Sequence, residues 1–381
     1  MEQQPATHDV GIVGGGQLGR MLALAGAPLG LRCLLLDPDP RCAASDVADI
    51  LVGPLDDPSL LQQLTRRCSV TTFEIEHTNP EALAQLVGDG AVVHPAPQLL
   101  SSVADKQAQK RFLFAQGIPV PAIIEPTFTN RGEVRSGCVQ KARYGGYDGR
   151  GVAVLSPGET PPLQGACFYE ELIAVDQEIA VITARNQDGE IRTWEPLAMG
   201  FTRELNLVED VSVPAGLSSE LRDQCNTVAR RTAEVMGRLG LVGVMAVEQF
   251  VDDQGRVLVN EVAPRPHNSG HLTIEASITS QFEQHLRAIL GLPLGDTTLR
   301  SPAVMKNIVG AANETSGAYA IGGLAAALKN PDTHIHLYNK PVLRPGRKMG
   351  HVTALAPTVP DARAAAAAAA AALYFTPEEA Q

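Results

Sequence analysis

Residues 243–271 read GVMAVEQFVDDQGRVLVNEVAPRPHNSGH, two apolar runs joined by a short polar link and followed by a polar loop. Runs rich in Val that flank Asp-Asp-Gln-Gly have the composition of a β-hairpin. A two-residue turn at Gln254-Gly255 places Glu248 directly opposite Glu261. Like charges opposed on a sheet are destabilising unless a cation lies between them, and two carboxylates with phosphate oxygens suit Mg²⁺. The other reading, a solvated pair on an exposed face, is weakened by the apolar context of VMAVEQF and VLVNEVA. Arg265, His267, Asn268, Ser269 and His271 follow at once, so polar donors stand beside the expected metal, and Arg265 is placed to stabilise transferring charge.

Working outward, Lys141-Ala-Arg-Tyr-Gly145-Gly146-Tyr147-Asp148-Gly149-Arg150-Gly151 sits between two apolar strands. Four glycines in that loop leave bare amides that can close over a polyphosphate, with Lys141 as a point charge at the strand end. A surface hairpin without function would not need so many polar side chains among its glycines. Nearer the N-terminus, Gly14-x-Gly16-x-x-Gly19 follows a strand, opens a helix and is followed by Asp37 at the next strand end. That pattern fits a dinucleotide site and equally a tight turn with no ligand. At the other end Lys340, Arg344, Arg347 and Lys348 gather positive charge in NKPVLRPGRKMGH, either a phosphate site or a solvated hairpin tip.

The 381 residues carry 31 Lys and Arg against 42 Asp and Glu, a net charge of −11 that argues against nucleic acid as the main partner. Mean hydropathy is −0.01, and no run of 18 apolar residues offers a membrane span. Six scattered cysteines form no C-x-x-C, which predicts a reducing cytoplasm and no zinc site. The start, MEQQPATHDV, lacks a basic and an apolar region and reads as a disordered extension over 1–8.

Alternating strands and helices over 9–102, including a helix at 58–67 and a short strand at AVVHP, predict a parallel α/β layer. A polar helix near 104–117 opens a second domain over 103–295, with a small subdomain about 127–180 and a long amphipathic helix at 218–240. A β-rich C-terminal domain over 296–381 ends in the alanine run 364–372, expected to be a helix.

Taken together, GGGQLGRM, TFEIEH, GGYDGRG, NEVAPRPHNSGH and RPGRKMGH resemble the 5-(carboxyamino)imidazole ribonucleotide synthetase family of ATP-grasp ligases, over nearly all of residues 9–375. The resemblance implies three domains (pre-ATP-grasp, ATP-grasp with a lid, C-terminal) and a cytoplasmic homodimer. It also implies ATP-dependent carboxylation of 5-aminoimidazole ribonucleotide with bicarbonate through carboxyphosphate, in purine biosynthesis. For ATP it implies Lys106 and Lys141 on the phosphates and Gly146, Tyr147, Asp148, Gly149, Arg150, Gly151 and Val152 as their cover. Glu170, Glu171, Leu172 and Ile173 would hold adenine, Glu178 the ribose, and Asn260 and Glu261 would complete the nucleotide site, with Mg²⁺ on Glu248 and Glu261. Gly15, Gln17 and Leu18 with Glu74 or Glu76 would line the ribonucleotide, and Lys340, Arg347 and Lys348 would grip its phosphate. Arg265, His267 and Asn268, with Tyr147 and Asp148, would surround bicarbonate. The first glycine turn thereby becomes a mononucleotide site and the dinucleotide reading falls away. Many ATP-grasp enzymes carry Glu-x-Asn-x-Arg at the metal, whereas Glu261-Val-Ala263-Pro-Arg265 lacks the Asn. Another ATP-grasp carboxylate–amine ligase and a non-catalytic nucleotide-binding protein are the alternatives.

Overall fold

The apolar runs of the first hundred residues become β1 (His8–Val13), β2 (Cys33–Asp37), β3 (Asp49–Val52) and β4 (Cys68–Phe73), all parallel in the order β3-β2-β1-β4. The computed structural model describes residues 6–145, 151–201, 208–311 and 316–377. The helices between and after these strands are α1 (Gln17–Gly26), α2 (Pro58–Arg67), α3 (Pro80–Gly88) and α4 (Pro97–Ala104). Helices on both faces explain why β1 and β2 read as nearly unbroken apolar stretches. Asp57 and Asn79 cap α2 and α3 through their side chains, and each is followed by Pro at the first helical position. Two expectations change here. His8 is not part of a disordered extension: it opens β1, buried, with Nε2 2.8 Å from Asp49 Oδ2. AVVHP forms no strand, because Pro95 and Pro97 interrupt backbone donation, and Val93 makes only a single parallel bridge to Thr71.

Past the Asp105 cap, α5 (Lys106–Ala115) leads to a small antiparallel sheet of β5 (Ile123–Ile124), β6 (Cys138–Ala142), β7 (Val152–Leu155) and β8 (Cys167–Glu171), ordered β5-β8-β6-β7. A much larger sheet then begins with β9 (Val175–Arg185), β10 (Ile191–Thr193), β11 (Leu197–Phe201) and β12 (Val208–Val213). It continues through α6 (Ser219–Gly237), β13 (Gly243–Asp252), β14 (Val257–Ala263), α7 (Thr273–Ala276) and α8 (Gln281–Ile289). The last part adds β15 (Ala303–Val309), β16 (Tyr319–Gly322), α9 (Leu324–Ala327), β17 (Thr333–Leu337), β18 (Lys348–Leu355), α10 (Val359–Ala372) and β19 (Tyr374–Pro377).

The C-terminal domain does not stand on a separate sheet. The order β14-β13-β9-β11-β12-β15-β18-β17 is continuous, because β12 and β15 pair from Asp210–Lys306 to Val213–Ala303. Joining them removes two exposed sheet edges, a liability when left unpaired. The alanine run does form α10, and Ala362, Ala366 and Ala369 face β15 and β18 at helical spacing. A second core crosses the other boundary: Phe282, Leu286 and Ile289 of α8 pack with Leu22 and Leu35 of the N-terminal domain, each worth about 1.5–3 kcal/mol when fully buried. Inside that contact Val244 N donates to His285 Nδ1 (3.0 Å), so His285 Nε2 carries the proton toward Thr72 Oγ1 (2.8 Å). Burial lowers this imidazole to about 3. Among the described residues, no helix is long and apolar enough to cross a membrane.

Candidate active site

The carboxylate pair forms, but by a route different from the expected turn. Asp252 N donates to Arg256 O (3.1 Å) and Gly255 adopts φ +74°, so the hairpin loop holds three residues, 253–255, and its first pairs are Val251–Val257 and Phe250–Leu258. That register alone would set Glu248 opposite Asn260 and turn Glu261 to the other face. A β-bulge at Asn260 restores the offset, and Glu248 stands opposite Glu261. The bulge also re-aims Asn260 toward the site, where its Oδ1 accepts from Lys141 Nζ at 2.7 Å.

Cations from two elements meet this strand pair. Lys106, at the start of α5, donates to Glu261 Oε2 at 2.6 Å. Burial and the neighbouring Glu261 charge push Glu248 up to about 8. Burial acts on Glu261 in the same direction, but Lys106 and then Lys141 bring it below its ordinary value. A divalent cation fits this donor set, since it would relieve the repulsion that holds Glu248 up. Among the described residues, no third His, Cys, Asp or Glu joins to make a three-ligand group, so phosphate oxygens and water would fill the remaining positions.

The expected adenine contact of Glu170 is through its backbone, and its side chain is engaged elsewhere. Its carboxylate is buried in β8 and bridges Lys141 Nζ (2.8 Å) and Lys110 Nζ (2.8 Å), so its side chain orients both lysines. Lys110, three per cent exposed on α5, was not legible as a site residue; burial and the Lys141 charge lower it to about 8. Glu171 Oε1 accepts from Ala122 N (2.8 Å), Leu172 is exposed beside it, and Ile173 O accepts from Val175 N, which marks the crossing from the small sheet to the large one. Glu178 lies on β9 opposite Phe250, raised by burial and lowered in part by Lys141. Gly151 and Val152 pair with the end of β6, while Gly146, Tyr147, Asp148, Gly149 and Arg150 lie outside the described residues.

The loop after β14 reaches both neighbouring domains. Arg265 Nε donates to Glu76 Oε1 (2.8 Å) in the N-terminal domain, and His267 Nε2 lies 3.4 Å from Glu248 Oε1. Asn268 is not turned toward this space: its amide is buried and exchanges two hydrogen bonds with Asn307, 2.9 Å each. Lys340 Nζ donates to Gln17 Oε1 (2.8 Å) and Lys348 O (2.6 Å), joining the first glycine turn to the C-terminal hairpin. Arg347 Nη1 donates to Val342 O (2.7 Å), with Arg344, Tyr319 and Asp39 within electrostatic reach.

The first glycine turn is itself filled by protein. Glu74 accepts from Gly16 N (2.5 Å) and Gly19 N (2.6 Å), and Asp37 accepts from Gly15 N (2.9 Å), so these amides are already engaged. The Leu18 side chain packs in the core and does not line a ligand space. A Cβ on Gly14 or Gly16 would run into Glu74, which explains the glycines without any phosphate.

Comparison with known proteins identifies the three domains in order. Residues 7–104 match the ribonucleotide synthetase preATP-grasp domain, 127–282 the ATP-grasp domain, and 303–365 the phosphoribosylaminoimidazole carboxylase C-terminal domain. The N5-carboxyaminoimidazole ribonucleotide synthase of Brucella melitensis is 35% identical over 362 residues, covering 91% of this chain and 96% of that protein. The chloroplastic phosphoribosylaminoimidazole carboxylase of Vigna aconitifolia is 36% identical over 90% of this chain, which spans 63% of that longer protein. The crystal structure of N5-carboxyaminoimidazole ribonucleotide synthetase from Thermotoga maritima superposes with TM-score 0.86 at 37% identity, covering 97% of this chain and 100% of that one. An Aspergillus clavatus N5-carboxyaminoimidazole synthase in complex with ADP and 5-aminoimidazole ribonucleotide gives TM-score 0.81 at 29% identity, covering 94% and 96%. Three domain matches in order, near-complete coverage and a shared fold place this chain in the N5-carboxyaminoimidazole ribonucleotide synthase family of ATP-grasp enzymes.

Proposed function

We propose that this chain carboxylates the amine of 5-aminoimidazole ribonucleotide, using ATP and bicarbonate and releasing ADP and phosphate. The observation that carries the reading is the convergence of three domains on one space. Lys106, Lys141 and the Glu248–Glu261 pair stand on one side, Lys340 with Gln17 on another, and Arg265 and His267 between them. Lys106 and Lys141 would exchange their present carboxylate and amide partners for ATP phosphate oxygens, while Glu248 and Glu261 would hold Mg²⁺. When bound, that ion supplies charge neutralisation between phosphate oxygens.

In the first step a bicarbonate oxygen attacks the γ-phosphorus and the bond to the β-phosphate oxygen breaks, giving ADP and carboxyphosphate. In the second the amine attacks the carboxyl carbon, inorganic phosphate leaves, and the amine loses a proton. Arg265, braced by Glu76, offers a fixed guanidinium to the developing negative charge, and His267 lies close enough to Glu248 to be oriented by it. The Gly146–Arg150 segment, with Tyr147 and Asp148, would exclude water from the labile intermediate. A cytoplasmic homodimer belongs to the same reading, and light scattering on the purified chain tests its dimeric part.

The experiment is ATP turnover with each substrate omitted in turn, followed by Arg347→Ala. ADP release should require both bicarbonate and the ribonucleotide for full rate. Loss of one charged phosphate contact, worth roughly 1.5–3 kcal/mol, should raise the ribonucleotide KM about tenfold or more and spare that of ATP. ATP turnover indifferent to the ribonucleotide sinks the reading.

A further inference from the structure

The loop bearing Arg265 and His267 is held from behind by the C-terminal strands. Asn307, His351 and His336 form one row across β15, β18 and β17, since Asn307 pairs with His351 and His351 with His336. Residues directly opposed on antiparallel strands share a face, so the row presents a single polar edge. Opposite it stand Asn268, His271 and Glu275, spaced by three and four residues along the 3₁₀ turn Asn268–Gly270 and α7, hence on one side of a helical path. The two sets meet rung by rung. Asn268 and Asn307 exchange their 2.9 Å amide bonds, the His271 and His351 rings lie 4.7 Å apart, and His336 Nε2 lies 2.7 Å from Glu275 Oε1. Tyr338 Oη is 2.8 Å from His351 Nδ1 and closes the far side, with Tyr338, His271 and His351 all fully buried.

Both sides of this contact run directly into site residues. On the loop side Arg265 and His267 immediately precede Asn268, and on the strand side Lys340 follows Tyr338 while Lys348 opens β18. A purely apolar contact tolerates sliding, whereas a slip of one rung here would leave buried amides and a buried carboxylate without partners.

We propose that Asn307 and His351 are positioning residues: the three-rung contact of Asn307, His351 and His336 with Asn268, His271 and Glu275 fixes Arg265 and His267 relative to Lys340 and Lys348. The inference rests on the ribonucleotide reading above and adds to it two residues that touch no reacting atom.

The test uses the full-length chain with Asn307→Leu, which keeps the volume and removes the amide, and Tyr338→Phe, which removes only the hydroxyl that orients His351. Both variants should raise the ribonucleotide KM fivefold or more, leave the ATP KM within twofold, and increase amide hydrogen exchange in residues 264–271. Asn307 Nδ2 also donates to Val208 O (2.9 Å), so Tyr338→Phe carries the decision if Asn307→Leu does not fold. Lowered thermal stability with both Michaelis constants unchanged, or a parallel rise of both, overturns the proposal. Should the unmodified chain show no ribonucleotide-dependent turnover, the functional reading fails by itself. The docking role then stands or falls on whether exchange in 264–271 rises.

Discussion

Glu74 holds the amide of Gly16: its Oε1 accepts that N–H at 2.5 Å while its Oε2 takes Gly19 N at 2.6 Å. A carboxylate therefore sits where a glycine turn at a helix N-terminus would otherwise receive a phosphate. Burial raises Glu74, and the amides of Gly19 and Gly16 offset that shift only in part.

Removing this buried carboxyl group should disturb the turn that presents Gln17 to Lys340. Glu74→Ala leaves two amides without an acceptor, and we expect a loss of about 1–3 kcal/mol in urea unfolding together with a raised ribonucleotide KM. Unchanged stability would show that the amides find other partners.

The opposed carboxylates give a sharper expectation. Glu248→Gln and Glu261→Gln should each reduce turnover by two orders of magnitude or more at saturating Mg²⁺, with circular dichroism unchanged, because each leaves one carboxylate where two are needed. Near-normal activity in either variant would falsify the metal assignment.

For Lys110 the expected effect is on nucleotide binding. Lys110→Met keeps the side-chain length but frees one side of Glu170, so Lys141 loses its fixed position and the ATP KM should rise about tenfold. The ribonucleotide KM should not follow. Lys110→Arg should not restore binding, since a planar fork does not fit the space of an ammonium. An unchanged ATP KM in Lys110→Met removes Lys110 from the site.

His285 makes the contact between the first two domains sensitive to acid. Its folded value, about 3, lies below the ordinary 6.5, so the unfolded chain binds the extra proton between those two values. Stability from this group is present above pH 6.5 and is lost as pH falls toward 3. At pH 5 the loss is about 2 kcal/mol relative to pH 7. Urea midpoints at the two pH values should therefore fall further for the unmodified chain than for His285→Gln, and equal falls would refute the linkage.

Local chemistry was enough to read a good deal of the molecule. The helix at 58–67 follows from Asp57, Pro58 and apolar spacing, and α10 from the propensity of alanine. The opposed pair Glu248–Glu261 was reached from the sequence through a two-residue turn, and the true three-residue loop and the bulge at Asn260 happen to cancel. Period-two patterning carries which face a side chain takes but is silent about an inserted residue, so the register could not be derived there.

What only the tertiary structure decided are the partners. Gly14-x-Gly16-x-x-Gly19 states that a backbone must approach something closely, and the chain itself supplies that something, Glu74, from 55 residues beyond Gly19. Lys110 and Glu170 look like an ordinary helix lysine and a hinge carboxylate until α5 and β8 bring them within 2.8 Å. Asn268 is expected beside bicarbonate, yet its amide is spent on Asn307, 39 residues away. Sequence patterning fixes residue type, period and local turn chemistry, whereas the satisfaction of a buried polar group depends on whichever distant atom packing places beside it.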